Sequence, residues 1–494
     1  MRGIAVEPLL KKLQVVSVTG HLPDKMLGIT QDSRLVESGY IFAARSGSRS
    51  AGSDFIPMAA ERGAVLVATD EAFEEPQSLP VIRVHDFHQA LVFLSKVIYH
   101  DPTSILKLIG VTGTNGKTTS VHLIRSIISE AGQKCGLLST VGYDTVKRRM
   151  GASLTTPDID RLSALLCEMA DEGCSWAVIE VSSHALVQGR IDGLKIAAAA
   201  YTNISQEHLD YHRTVENYAD AKAQLFRALS PEGLAVINID DEWGRVMVKA
   251  AKGKVITYSA GAIDADLKVN VLEHSLTGGR FRLEWAGRNF QVKTPLIGIY
   301  NGENIALAAG VALGLGFDIE AVKAGVENVK SIPGRMEAVN MGQPFSVFVD
   351  YSHTPDALEN ALRSLRELCE KSLTVVFGCG GDRDRSKRPI MGRVAGELAN
   401  RIIVTDDNPR DEQPGVIAGE ILKGIRTRRR DHVTVELDRR EAIRKALLSA
   451  NEGDVILITG KGHETYQLTG GVKREFDDRQ VAKEELASML NVKC

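Results

Sequence analysis

Close cysteine pairs are missing from this sequence: the six cysteines, Cys135, Cys167, Cys174, Cys369, Cys379 and Cys494, form no CxxC pair. Neither a zinc cluster nor a disulfide framework is expected, and a reducing cytoplasm is the compartment that suits them. A large charge of one sign is missing too. The net charge of -3 at pH 7 argues against nucleic acid as the main partner, because phosphate binding shows as a basic excess. The local basic run from Arg426 to Arg430 reads as a solvated helix end. Long apolar runs are absent: the longest, residues 305–317, is too short to span a bilayer and holds several glycines. The first residues, MRGIAVEPLLKKLQVV, carry a charge within every short apolar stretch, so neither a signal-peptide core nor a membrane segment is expected. Proline is sparse, at 15 residues, while 44% of the chain is apolar and 25% charged. That describes an ordinary globular protein, not a disordered or fibrous one.

The 494 residues exceed one hydrophobic core and, at about 150 residues per domain, suggest three domains. The first hundred residues carry short β-type runs at 40–44 (YIFAA), 64–68 (AVLVA) and 81–84 (VIRV) with helical patterns between them. A polar, proline-containing break at 100–104 (HDPTS) precedes a strand at 106–111 (LKLIGV), which leads into a glycine loop. The helix after it is marked by Val121, Ile124 and Ile128 at helical spacing, with Gly132 where a C-terminal cap belongs. Further strands are expected at 177–181, 197–201 and 234–239. A second break, 331–335 (SIPGR), precedes strands at 347–349, 373–377, 402–405 and 455–459 that alternate with helical segments. No fixed-period repeat is visible. The recurrent theme is a strand whose C-terminal end opens into a polar or glycine-rich loop, where open α/β sheets place ligands.

The loop Gly113, Thr114, Asn115, Gly116, Lys117, Thr118, Thr119 follows a strand and opens a helix. Its glycines let backbone N–H groups converge on phosphate oxygens, Lys117 supplies positive charge, and the Thr118 hydroxyl can reach Mg²⁺. The helix adds its positive dipole end. The spacing departs from GxxxxGK[ST], because Val111 stands where the first glycine would be. Glu180, near a strand end, suits a nucleotide-held Mg²⁺, or is simply an edge-exposed glutamate. His208 and Asp210 could form a second metal locus, although oxygen suits magnesium better than imidazole does; a loop histidine is otherwise structural. Lys222, on a helical stretch, reads by itself as a surface residue.

These pieces together resemble the Mur ligases of peptidoglycan synthesis across essentially the whole chain. The resemblance is carried by GTNGKTT (113–119), EVSSHAL (180–186), NISQEHLDYH (203–212), YNGENIALAA (300–309), PGRME (333–337) and DYSHTPDA (350–357). It implies an α/β chain of three domains: an N-terminal Rossmann-like UDP-sugar-binding domain over 1–104, a central P-loop ATPase domain over 105–334, and a C-terminal Rossmann-like amino-acid domain over 335–494. It also implies that ATP phosphorylates a substrate carboxylate and that an amine then displaces phosphate from the acyl phosphate. Mg²⁺ and Lys117 would offset charge on the transferred phosphoryl group. Carried over by resemblance, Lys222 matches a lysine that becomes carbamylated, and Glu180 and His208 match metal-binding positions. Asn301 and Asn304 match a segment near the adenine, and Arg335 matches a nucleotide-contacting arginine. Asp350 and His353 lie in a loop facing ATP.

Within the family, Asp407, Asn408, Pro409 and Arg410 are similar to the signature of members that add meso-diaminopimelate, with Arg383, Gly460 and Glu464 completing that site. Diaminopimelate differs from lysine by a distal carboxylate, which a guanidinium fork holds bidentately. Read alone, DNPR is an ordinary turn and GKGHE another phosphate-type turn. On the other substrate, Gln31, Ser33, Ser48, Arg49 and Ser50 align with uridine-diphosphate contacts. Thr155, Thr156, Ser182, Gln188 and Arg190 align with positions that hold the muramoyl-dipeptide. The substrates implied are UDP-N-acetylmuramoyl-L-alanyl-D-glutamate and meso-diaminopimelate, joined by a cytoplasmic monomer. The alternatives are a lysine-adding or relaxed homologue, a nucleotide-regulated binding protein without turnover, and a kinase that stops at the phosphorylated product.

Overall fold

Period-two alternation along the strands decides the layering, because successive side chains leave a strand on opposite faces. The computed structural model describes residues 3–45, 51–72, 78–261 and 264–491. Ser48, Arg49 and Ser50 lie outside the described residues. Three main sheets follow one another along the chain. The first has five strands in the order Val15–Thr19, Val81–Val84, Leu66–Thr69, Tyr40–Ala43, Gly28–Thr30, parallel except for the first pair. The second has 11 strands around a parallel core in which Trp176–Glu180, Lys107–Thr112 and Ile196–Tyr201 are neighbours. The third has six, in the order Glu337–Ala338, Ser346–Asp350, Val455–Thr459, Leu373–Phe377, Arg401–Val404, Val433–Val435. The turn Pro102–Ser104 separates the first sheet from the second.

In the second sheet Ile109, Val111, Val178 and Val236 point to one face, against Val121, Ile124 and Ile128 of the helix Lys117–Glu130. Leu108, Ala177, Ile179 and Ile237 point to the other, against the helices Ile159–Asp171 and Val215–Arg227. The third sheet repeats the device. Val375 and Leu457 face the helices Pro355–Leu368, Lys387–Leu398 and Pro414–Gly424, while Val376 and Ile456 face Arg439–Leu448 and Asp478–Asn491. Both are α/β layers with helices on each side, so the parallel strand ends open on one edge, where loops gather.

The strands at 81–84, 373–377 and 455–459 coincide with the sequence expectation, and the others shift by a few residues. The apolar run at 305–317 is accounted for by the helix Asn301–Gly314, whose residues Ile305 to Ala309 are fully buried. The run Arg426 to Arg430 is largely solvated, as expected, with Arg426, Arg428 and Arg430 exposed. Thr427–His432 is a separate 3-10 turn, and Arg429 donates to the carbonyls of Gly396 and Ala399 at the end of another helix. No helix among the described residues is long and apolar enough to cross a membrane.

Close packing behind the glycine loop rests on one small residue. The helix Ile319–Asn328 lies on Lys117–Glu130, and a Cβ at Gly325 would fall 2.4 Å from the Ile127 Cα. Backbone cannot yield as a flexible side chain does. Gly325→Ala is therefore expected to cost about 1–3 kcal/mol, read as a lower urea midpoint of the central unit; an unchanged midpoint would mean the helices separate freely.

Candidate active site

The glycine loop owes its odd spacing to what presses on it. Gly113 has φ 146° and Gly116 has φ 86°; a Cβ at the first would sit 1.7 Å from Thr202 Oγ1 and at the second 2.4 Å from Asn304 Oδ1. Only glycine fits either place. Asn203 fastens the loop, since the Thr114 N–H donates to its carbonyl at 2.7 Å and the Asn115 N–H to its Oδ1 at 2.9 Å. Lys117 Nζ donates to the carbonyls of Gly113 at 2.8 Å and Thr114 at 2.7 Å, which keeps its charge at the mouth of the loop. Burial lowers the Lys117 pKa, and the nearby Glu207 and Glu180 charges oppose that shift.

Lys222 departs from the surface reading. Its side chain is fully buried, Nζ donates to the Gly113 carbonyl at 2.8 Å, and the ammonium stands 4.2 Å from the Tyr218 ring centroid. Burial holds its pKa well below that of an ordinary lysine, and the Lys117 charge adds to the effect. The helix Val215–Arg227 carries it there because Tyr218, Ala219, Leu225 and Phe226 on the same helix bury against the sheet.

Glu180 ends its strand buried, its carboxylate accepting from the Thr140 N–H at 2.9 Å and the Thr140 hydroxyl at 3.1 Å. His208 has a left-handed backbone, φ 56°, and burial pulls its pKa down to about 4, leaving a neutral ring near neutral pH. Glu207 beside it was not singled out from sequence. It is largely covered and meets His353 Nε2 at 3.3 Å. Burial would raise its pKa, but the His353 hydrogen bond, with the Lys117 charge adding to it, wins and holds it well below the usual range.

A single cleft of about 440 Å³ gathers residues from the second and third sheets. One wall carries Thr114, Asn115, Gly116, Lys117, Thr118, Thr119, Thr155, Glu180, Ser182 and His208; the other carries Arg335, His353, Arg383, Asp407, Asn408, Arg410, Gly460 and Glu464. Side chains cross between the walls. Arg335 Nη2 donates to Thr118 Oγ1 at 2.8 Å while its guanidinium lies over Tyr351, and Asn115 Nδ2 donates to Asp356 Oδ2 at 2.9 Å. On the second wall Asn408 Nδ2 donates to Glu464 Oε2 at 2.8 Å, and the buried Lys461 Nζ donates to Asn408 Oδ1 at 3.1 Å. Arg410 Nη1 donates to the Gly381 carbonyl at 2.6 Å. Arg383 makes no hydrogen bond or ion pair among the described residues.

Other expected site residues stand outside the cleft lining. Asn301 and Asn304 are buried beneath the loop, Asn304 Nδ2 donating to Asn301 Oδ1 at 3.0 Å. Asp350 accepts from the N–H groups of Met336 at 2.7 Å and Ser352 at 2.9 Å, so it fixes a turn. Gln31 donates through its N–H and Nε2 to Asp160, each at 3.0 Å, and Ser33 meets the Met58 sulfur. Arg190 pairs with Asp158 at 3.0 Å, donates to the Thr156 carbonyl at 2.7 Å and grips Gln188. Thr156 Oγ1 donates to the Glu180 carbonyl at 2.9 Å. Pro409 packs its carbonyl against Gly381.

Among the described residues no group of three or more His, Cys, Asp or Glu stands ready to hold a metal by itself. The oxygen donors facing the cleft, the Glu180 carboxylate and the Thr118 hydroxyl, fit a different case. An ion carried by nucleotide phosphates keeps several waters and needs one or two protein oxygens, the habit of Mg²⁺.

Comparison with known proteins gives matches to three family models. Residues 111–312 match the model of the Mur ligase middle domain, 334–462 that of the Mur ligase glutamate ligase domain, and 25–98 that described as Mur ligase family, catalytic domain. The UDP-N-acetylmuramoyl-L-alanyl-D-glutamate–2,6-diaminopimelate ligase of Aquifex aeolicus is 42% identical over 462 residues, covering 94% of each chain. That of Geobacillus kaustophilus is 41% identical over 488 residues, covering 95% of this chain and 99% of its own. A solved structure of a ligase of that name superposes with a TM-score of 0.65 at 36% identity, over 96% of this chain and 98% of the other. The fold is shared more widely: a MurF ligase from Thermotoga maritima superposes with a TM-score of 0.66 at 18% identity, over 94% of this chain and 97% of the other.

Proposed function

The chain belongs to the Mur ligase family, and from that premise we infer that its cleft joins meso-diaminopimelate to the γ-carboxyl of D-glutamate in UDP-N-acetylmuramoyl-L-alanyl-D-glutamate, using ATP. The observation that carries the reading is that a phosphate loop and an arginine-bearing, carboxylate-bearing wall share one cleft. The first wall suits a nucleotide and the second an amino acid with charges at both ends. The divisions 1–104, 105–334 and 335–494 serve, on this reading, the UDP-sugar, the nucleotide and the amino acid.

An ionised carboxylate resists attack by an amine, and oxide is a poor leaving group. Transfer of the γ-phosphoryl group from ATP to a carboxylate oxygen releases ADP and gives an acyl phosphate, which the amine attacks with loss of phosphate. Lys117 leaves its loop carbonyls to offset charge on the phosphoryl oxygens, and the N–H groups at the start of its helix bind the phosphates. Glu180 and Thr118, with His208 and Lys222 after carbamylation, are the residues we assign to a Mg²⁺ ion. When bound, that ion neutralises phosphate charge. Arg335, anchored on Tyr351, steadies the nucleotide side, where Asn301, Asn304 and Asp350 shape the floor. Arg190, Thr155, Thr156, Ser182 and Gln188 hold the dipeptide, and Gln31 and Ser33 sit toward the UDP end. Arg383 and Arg410 take the carboxylates of diaminopimelate, while Asp407, Asn408, Glu464 and the Gly460 turn take its distal ammonium.

The test is phosphate release by the purified chain with ATP, the UDP-dipeptide precursor and a panel of amino acids. Turnover is expected to be efficient with meso-diaminopimelate and only weak with L-lysine, which leaves an arginine unpaired. Equal turnover with lysine would remove the arginines as the basis of selection. A stable phosphorylated product in place of free phosphate would make the chain a kinase.

A further inference from the structure

Directly behind the amino-acid wall lies a buried ion pair that touches no part of the cleft. The side chains of Arg439 and Asp478 are both wholly buried, and they meet as a two-pronged fork: Nε donates to Oδ1 and Nη2 to Oδ2, each at 2.7 Å. The rest of the guanidinium is spent on backbone. Nη1 donates to the Asp406 carbonyl at 3.0 Å and Nη2 to the Thr459 carbonyl at 3.0 Å. Asp406 and Thr459 immediately precede Asp407 and Gly460. They stand at the ends of the strands Arg401–Val404 and Val455–Thr459, which are not neighbours in the sheet because Leu373–Phe377 runs between them. No ladder hydrogen bond therefore sets the distance between the two loops. The guanidinium bridges them from behind, as Asn408, Lys461 and Glu464 do on the cleft side.

The loops it joins carry the groups that face the substrate. They touch closely, since a Cβ at Gly460 would lie 2.7 Å from Asp407 Oδ2. On the cleft side Lys461 Nζ ties Asn408 to Glu464, at 3.1 and 3.4 Å. A buried ion pair whose only role was to hold the helices Arg439–Leu448 and Asp478–Asn491 together would need no bond to either strand end.

We propose that Arg439, locked by Asp478, is a positioning residue that sets the spacing of the Asp407–Arg410 and Gly460–Glu464 loops and so the selectivity for a diamino dicarboxylic acid. The proposal rests on the functional reading above. The reasoning is geometric: a substrate centre bearing both an ammonium and a carboxylate must meet Glu464 on one loop and Arg410 on the other at once. A displacement of about 1 Å between such groups costs up to a hundredfold. Lysine lacks the second charge and is nearly blind to that spacing, so loosened loops lose the preferred substrate first. An ammonium lacks the planar fork needed to hold Asp478 and two carbonyls together.

The experiment measures steady-state phosphate release by the full chain, varying each substrate in turn, for wild type, Arg439→Lys and Asp478→Glu. We expect the KM for diaminopimelate to rise about tenfold or more, the KM for ATP and for the UDP-dipeptide to stay within about twofold, and the preference over lysine to shrink. Melting curves establish that each variant is folded; if Arg439→Lys is not, Asp478→Glu, which keeps the charges and displaces the fork, decides. A common rise in all three KM values, or a fall in kcat with an unchanged KM for diaminopimelate, would reduce the pair to a structural tie. Wild-type turnover separates the two levels. Without it the functional reading fails and takes the proposal with it; with it, unshifted variants overturn the proposal alone.

Discussion

Lys222→Ala is expected to lower kcat by about a thousandfold, the scale on which loss of a preorganised electrostatic group acts, and short-chain carboxylates such as acetate are expected to restore part of it. The argument begins with a lysine in the wrong place for a cation. Lys222 is fully buried, shares the Gly113 carbonyl with Lys117, and is pushed by burial well below the usual lysine pKa. The neutral amine favoured there is the form that adds carbon dioxide with loss of a proton, and the carbamate formed places a negative charge beside Lys117. Its nitrogen keeps one N–H for Gly113, so the hydrogen bond already present survives. A carboxylate diffusing into the space left by alanine supplies the same anionic oxygens without the chain. Lys222→Arg, which stays cationic, is expected to be as inactive as the alanine variant. Were the alanine variant folded and nucleotide-binding yet deaf to carboxylates, the carbamate would lose its support and Lys222 would remain a prop for the loop.

Lys222 also marks where sequence reading stops. Its stretch, Asn217 to Lys222, is polar enough to look solvent-facing, and only the helix Val215–Arg227 folding against the loop 109 positions earlier buries it. The glycine loop was legible because its chemistry is local: two glycines, a lysine and three threonines within seven residues. So were strands such as Leu373–Phe377, where apolar β-type residues run unbroken. The antiparallel end of the second sheet is a different case, since Leu267, Val269, Phe281, Leu283, Phe290 and Val292 carry a period-two signal that local reading leaves unused. Glu207 with His353, Asn115 with Asp356 and Arg439 with Asp478 join residues from 39 to 241 positions apart. No local pattern encodes such pairs, and the first two are what turn two walls into one site.

Arg410→Ala is expected to raise the KM for diaminopimelate about a hundredfold while leaving the KM for ATP within about twofold. A hundredfold is about 2.7 kcal/mol, within the range of a charge-assisted hydrogen-bonded pair removed from one side. The side chain is poised for this. Its backbone is held in the left-handed region, φ 52°, by bonds on both sides: its N–H donates to the Leu468 carbonyl at 3.0 Å, and its carbonyl accepts from Gly470 at 2.7 Å. The hairpin Tyr466–Thr469 with Val472–Glu475 thus aims a guanidinium whose single internal bond, to Gly381, leaves most of its donors free. Alanine shares arginine's Cβ and hence its backbone strain, so the substitution removes the fork without relaxing the turn. Lysine at this position keeps the charge but not the planar fork, and is expected to recover only a minor part of the loss. Because lysine as substrate has no distal carboxylate to lose, its weak turnover should hardly change, and the ratio of the two amino acids should collapse. Parallel rises in the KM for diaminopimelate and for ATP would instead place Arg410 at the closure of the cleft, and the choice of amino acid would then have to rest on Arg383.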